Sequence, residues 1–523
     1  MRFVSPTALP LLFVTTLAAC GSLRSGTASP DALRSRAMPY APAAEIAQAP
    51  ASPAIAKGAP EGTASTEEYN DYGVNPVVDA AKDRLSTFAI DVDTASYSIS
   101  RRKLLEGTLP PFAAVRAEEF LNYFDYAYPS PGDAPYAVIL GGAPSPYTAG
   151  HHLLRVVVQA RRLTPAERRP VHLVYLVDTS GSMQSDDKIG LAKKSLRILT
   201  RSLKRGDTVA LCTYAGYVRE ILPPTGVDHA DRIISAIDDL TASGSTAMSS
   251  GIELAYSLAE RSLVKGDVNH VVVLSDGDAN VGDTTHQAIL ERIEHFKGEG
   301  ITLSTVGFGD GNYKDTMMEQ LADKGDGNYS YIDSERQAER VFAENVSGLL
   351  EVVARDMKVQ VDFDPRVVPS YRLVGYENRD VADKDFRNDK VDGGEIGAGH
   401  AVTAMYDVVL AHGDGSPLTV RVRSKPPVGS EVATERAFVM PASAVLPTFD
   451  AAPASFRFAT AVTGFAEILR QSPYAKSWSL EDVERIARAS AADRQDQQEM
   501  IGLVRRAERL VPPPRTDVAL QAK

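Results

Sequence analysis

Residues 169–354 predict an α/β fold: a doubly wound, mostly parallel six-stranded sheet, flanked by a β-rich unit and followed by a C-terminal helical segment. Three observations carry this. From about residue 169, short apolar runs (172–177, 208–214, 218–222, 270–275, 301–306 and 328–332) alternate with helical periods (188–204, 228–240, 249–263, 284–298, 314–324 and 335–354). Helical crossovers of that length bring successive strands parallel, with helices on both faces of the sheet. The gap from Tyr214 to Val218 is too short for a crossover, so the run at 218–222 is expected as an antiparallel edge strand.

Composition agrees with a folded chain. In 523 residues, 44% apolar and 24% charged, there is room for about three domains and ample core. The balance of 56 Lys+Arg against 68 Asp+Glu gives a net charge of −12, which repels phosphate backbones, so no nucleic-acid partner is expected.

In chain order, residues 1–19 read as an export signal: a positive start at Met1-Arg2, then an apolar stretch too short to span a bilayer. The sequence Leu17-Ala18-Ala19-Cys20-Gly21 resembles the bacterial lipobox, which implies cleavage before Cys20 and lipidation of its sulfur. Each buried CH₂ contributes about 0.8 kcal/mol, so three acyl chains anchor durably. Gly21, in place of Asp, implies sorting to the outer membrane, with the folded part facing the periplasm. Residues 20–75, rich in Ala, Pro, Ser and Gly, read as a disordered tether whose typical span is roughly 40 Å.

Residues 76–168 carry strand-like runs at 86–93, 136–140 and 153–159 and two amphipathic stretches, at 97–105 and 113–124. Residues 355–523 return to strands (357–363, 371–376, 401–410, 418–423 and 435–439) and end in helices (454–469, 480–489 and 494–510). Neither flank offers enough strands to close a core comfortably, so the two are expected to pair into one unit from which the α/β domain emerges. Cys212, the one cysteine besides Cys20, lies in a strand-like run and reads as an inert core thiol. Arg161-Arg162 and Arg168-Arg169 read as a solvated basic linker.

The chemistry concentrates where the first strand of the α/β domain ends, in Asp178-Thr179-Ser180-Gly181-Ser182-Met183. Open α/β sheets bind ligands at the carboxyl ends of their strands. A carboxylate and two hydroxyls on a tight loop are hard oxygen ligands for a small divalent cation. Asp276, at the end of the fourth strand, supplies a second carboxylate, and the small-residue loop at 244–251 can bring the Thr246 hydroxyl close.

These segments, in this order, resemble the von Willebrand factor type A domain and its metal-ion-dependent adhesion site. The resemblance implies a sheet order of 3-2-1-4-5-6, with Asp178 and Asp276 as neighbours. It implies that Ser180 and Ser182 bind the cation directly, Thr246 directly or through water, and Asp178 and Asp276 largely through water. Mg²⁺ is the expected ion, with Mn²⁺ or Ca²⁺ able to substitute, and the ion seeks an Asp or Glu carboxylate of a protein partner. The flanks, through Ser86 to Tyr97, Leu109-Pro110-Pro111, Val115 to Glu119, Asn122 to Tyr126, Tyr371 to Arg379 and Gly394 to His400, resemble YfbK-like bacterial lipoproteins.

The expected function is therefore metal-dependent docking of a partner by a lipid-anchored envelope protein, supporting adhesion or assembly, and not catalysis. The alternatives are a purely structural envelope protein or a phosphatase of the haloacid dehalogenase class. The latter would use Asp91-Val92-Asp93-Thr94, which lacks one residue of that motif. The bland reading of Asp91 and Asp93 is a carboxylate pair that caps the following helix. Asp276-Gly277-Asp278 begins like a calcium loop, but Val281 and Gln287 stand where glycine and glutamate are needed.

Overall fold

The computed structural model describes residues 67–90, 92–164, 166–277, 286–311, 313–411, 415–427 and 430–511. The signal expectation, residues 20–66 of the expected tether, Cys20 and Asp91 lie outside the described residues; at 67–75 the tether expectation is corrected, because Asn75 donates to Gly375 O at 2.7 Å and Glu67 pairs with Arg102 and Lys103, which fixes this stretch to the folded body.

The α/β domain is built on six strands: β1 Val171–Asp178, β2 Thr208–Tyr214, β3 Val218–Gly226, β4 Val268–Ser275, β5 Ile301–Phe308 and β6 Tyr329–Ile332. Their order is β3-β2-β1-β4-β5-β6. All neighbours are parallel except β2 and β3, which form the expected hairpin. Every residue of β1 and β4 is buried, as strands covered on both faces must be. Their side chains alternate between two cores. Leu173, Tyr175 and Val177 meet Leu196, Leu199, Ile233 and Ile237 on one face, while Val174 and Leu176 meet Ile252, Ala255, Ile289 and Ile293 on the other. Cys212 is buried among the latter, and burial pushes its thiol up, away from reactivity.

The rest of the described chain forms a frame. One five-stranded antiparallel sheet runs in the order Val78–Asp79, Ser370–Val374, Ala401–Val409, His151–Ala160, Tyr136–Pro144. In the second sheet, Val352–Phe363 is the hub, pairing with Leu85–Ala89, Gly394–Gly397 and Leu418–Lys425, and the last of these pairs with Thr434–Val439. Each sheet thus draws strands from both flanks: Phe88 faces Val359, and Arg155 faces Met405. The sheets share a core that includes Phe88, Leu154, Val361, Tyr406 and Val420. The outer face of the first sheet, through Leu153, Val157 and Met405, packs on helices Ala117–Tyr123, Ala454–Leu469, Leu480–Ser490 and Gln495–Leu510.

The chain leaves the frame after Ala160 and returns at Val352, so the α/β domain is an insertion between two frame strands. Arg169 on the way in and Glu351 on the way out form an ion pair, with Glu351 also accepting from Arg169 N at 2.6 Å. Arg168 pairs with the buried Asp207, which also accepts from Val171 N at 3.0 Å and Lys204 N at 2.7 Å. These contacts correct the reading of Arg168-Arg169 as a solvated linker: their charges lock the neck of the insertion.

Two further expectations are corrected. The helix expected over 335–354 is broken into Glu335–Glu339, a wide turn at Arg340–Glu344 and Val346–Leu350, and the β-branched Val352-Val353 pair starts a strand. Gly348, within the last of these pieces, packs closely on His400, where a Cβ would lie 2.2 Å from Nε2. Among the described residues, Asp93 makes no hydrogen bond to the start of a helix. Its oxygens accept from Tyr329 N at 2.7 Å and Arg379 Nη2 at 3.2 Å, joining β6 to the C-terminal flank. The helix Ala95–Leu105 is instead capped by Glu119, which accepts from Ser96 N at 2.7 Å. Further upstream, Glu67 binds Arg102 at 2.8 Å, Lys103 at 2.7 Å and Gly311 N at 3.1 Å, clamping the start of the described chain to the loop after β5.

Candidate metal centre

The site forms where β1 and β4, adjacent and parallel, end side by side. Past Asp178 the chain turns sharply because Asp178 Oδ1 accepts from Ser180 N at 2.8 Å, closing a turn two residues on. Asp178 Oδ2 accepts from Ser275 Oγ at 2.9 Å, so one carboxylate ties the end of β1 to the end of β4. Ser275 Oγ in turn accepts from Gly277 N at 2.9 Å. Gly277 has φ of +74°, and a Cβ there would lie 2.9 Å from Lys314 N, so both strain and space demand glycine.

Within the turn, Ser180 Oγ and Ser182 Oγ lie 3.0 Å apart. The loop that carries Thr246 is joined to this turn by two backbone hydrogen bonds, Gly181 N to Gly244 O at 2.9 Å and Ser243 N to Thr179 O at 2.7 Å. Thr246 itself is half-buried, just before the helix Met248–Arg261. Asp276 is fully buried next to Ser275. The structure therefore brings Asp178, Ser180, Ser182 and Asp276 to adjoining strand ends, with the Thr246 loop bonded alongside.

Electrostatically the site is under-compensated. Burial pushes the Asp178 carboxyl up to about 6, and the nearby Asp276 charge adds to this, while hydrogen bonds from Ser180 and Ser275 oppose it. Asp276 Oδ2 is met at 2.9 Å by the ammonium of Lys188, a side chain only 8% exposed. The sequence reading placed Lys188 only at the start of a helix. Nothing in the local pattern Asp186-Asp187-Lys188 marks it, since the partner lies 88 residues away. The donors are all oxygens, two of them adjacent hydroxyls beside buried carboxylates, and a cationic group already rests on one carboxylate. That donor chemistry fits a small, hard divalent cation.

Two other features lie apart from these residues. Asp326, Asp392 and Glu395 form an acidic cluster, but Lys297 Nζ lies 2.9 Å from both Asp326 and Asp392 and supplies its cation. A cavity of about 460 Å³ between the inserted domain and the frame is lined by Asn122, Gln159, Asn328, Arg340 and His400, and by none of the predicted site residues.

Known proteins share this arrangement of domains. Residues 172–344 match the von Willebrand factor type A domain, residues 63–155 match a von Willebrand factor family, and residues 348–417 and 413–510 match the C-terminal region of YfbK. The chain is 35% identical over 457 residues to the uncharacterized protein YfbK of Escherichia coli (strain K12), covering 82% of this chain and 78% of that one. The chain belongs to the YfbK family, whose central module is a von Willebrand factor type A domain.

Outside that family, this YfbK-family chain is 25% identical over 208 residues to inter-alpha-trypsin inhibitor heavy chain H3 of Bos taurus, covering 37% of this chain and 22% of that one. Among solved structures it is similar to a von Willebrand factor type A protein from Catenulispora acidiphila. That match has a TM-score of 0.43 and 16% identity, over 72% of this chain and 91% of that one.

Proposed function

We propose that this YfbK-family protein docks a partner protein through a divalent ion, Mg²⁺ by preference and Mn²⁺ or Ca²⁺ in its place, held at the ends of β1 and β4. Ser180 and Ser182 would hold the ion through their hydroxyls, Thr246 would complete the oxygen set, and Asp178 and Asp276 would balance its charge. When bound, the ion supplies an electrophilic contact with coordination positions open to a partner's Asp or Glu. The role is adhesion or assembly, not catalysis. The observation that carries this reading is the pair of Ser180 and Ser182 hydroxyls 3.0 Å apart, on a turn built by one buried carboxylate and beside a second.

Titration calorimetry with Mn²⁺ is the test. One site per chain is expected, abolished in Asp178→Ala while the far-UV circular dichroism stays native; unchanged affinity in that variant overturns the assignment. We further propose lipidation at Cys20 and an outer-membrane location facing the periplasm. Labelling of cells with a palmitate analogue is expected to mark the wild type and not Cys20→Ser, and equal labelling of the two contradicts the anchor.

A further inference from the structure

Lys188 is held where it cannot retreat to water. Its stem crosses the loop after β5 at Gly309, where a Cβ would fall 2.2 Å from Cε and 2.4 Å from Cγ. Gly309 O is itself fixed, accepting from Arg102 Nη1 at 3.0 Å and from Tyr331 OH. The ammonium is thus pinned 2.9 Å from Asp276 Oδ2 by a loop anchored in the frame. A buried lysine is tolerated when a carboxylate answers it, and Asp276, which answers Lys188 here, belongs to the candidate metal site.

We infer that Lys188 is the resident counter-cation of the metal site and sets its affinity and its appetite for an acidic partner. The inference rests on the divalent-ion reading above. Asp178 and Asp276 carry two negative charges and Lys188 returns one positive charge, so these three groups together present a single net negative charge to a divalent ion. Lys188 leaves the loaded site one positive charge richer than it would otherwise be. Without Lys188 the site would hold metal more tightly and attract a partner's carboxylate less. Lys188 is a positioning residue in this scheme, acting through Asp276 and through the field at the ion.

The test is Mn²⁺ titration of the full chain, by calorimetry and by the loss of the free-ion paramagnetic resonance signal. Lys188→Met and Lys188→Gln are expected to bind Mn²⁺ about tenfold more tightly or better, because a like charge within a few ångströms has been removed. Lys188→Arg, which keeps the charge, is expected to stay near the wild type. In the same variants, Mn²⁺-dependent binding of poly-L-glutamate is expected to weaken for Met and Gln although the metal binds better, a pattern that simple loosening of the loop would not give. If both neutral variants keep native near-UV circular dichroism and bind Mn²⁺ no better than the wild type, the inference falls while the metal-site reading stands. If no form of the protein takes up Mn²⁺, both fall.

Discussion

In the frame, Glu467 is fully buried between two arginines, Arg372 at 2.9 Å and Arg470 at 2.5 Å, whereas in the inserted domain the fully buried Asp178 has no arginine or lysine paired with it among the described residues. Burial alone would raise both carboxyls. At Glu467 the two guanidinium charges outweigh burial and hold the group below the usual range, while at Asp178 hydrogen bonds only partly offset burial and the group stays raised. At Glu467 the frame sets two guanidinium charges against one buried carboxylate. At the site, Asp178 is met by the hydroxyl of Ser275 and the backbone N–H of Ser180, and Asp276 is met by Lys188, an arrangement with less cationic compensation than Glu467 receives.

The comparison can be broken first on the frame side. Arg372→Met leaves Glu467 buried with half its compensation and is expected to lower the unfolding free energy by about 3 kcal/mol. Urea unfolding followed by tryptophan fluorescence at Trp478, which is buried and stacked on Tyr147 beside the same core, checks this. A loss below 1 kcal/mol would mean that the pair adds little.

A pH series sharpens the contrast next. His270, on β4, is held down to about 4 by burial, so its folded-state value lies below its unfolded one. The stability tied to its neutral form is therefore complete above about 6.5 and is lost as the pH falls from there towards 4, by roughly 3 kcal/mol. Acid unfolding of His270→Asn is expected to lack this component. His400, in the frame and packed against Gly348 of the inserted domain, is also lowered to about 4 by burial and pushes in the same direction.

At the neck, Glu351→Ala removes the acceptor for Arg169 N and the partner of its guanidinium, an expected cost of about 2 kcal/mol by thermal unfolding. The smallest effect is expected at Arg366, whose side chain is 89% exposed and pairs with Asp364 at the surface: Arg366→Ala should leave the unfolding midpoint unchanged.

How much of this was legible in the sequence follows from distance along the chain. The β1 and β4 strands read clearly because a strand buried on both faces must be an unbroken apolar run, and β3 read as antiparallel because three residues cannot hold a crossover. Asp178, Ser180 and Ser182 were visible because one tight turn sets their spacing. Most of what escaped depends on partners about ninety or more residues away along the chain. Asp93 meets Tyr329 across 236 positions, and Arg169 meets Glu351 across 182, so neither local periodicity nor composition could reveal them. The strand Gly394–Gly397 carries glycine at both ends and pairs only because Val352–Phe363 runs beside it. Lys188 escaped for the same reason, although it stands within ten residues of Asp178 in the sequence.

The central claim is that the turn after β1 holds a divalent ion through two hydroxyls. A Ser180→Ala, Ser182→Ala double variant tests it directly, because the Ser180 N hydrogen bond that shapes the turn is a backbone contact and survives the change. In Mn²⁺ titration calorimetry the wild type is expected to bind one ion per chain and the double variant none, with the same unfolding midpoint in the absence of metal. Equal Mn²⁺ affinity in the two proteins would contradict the account.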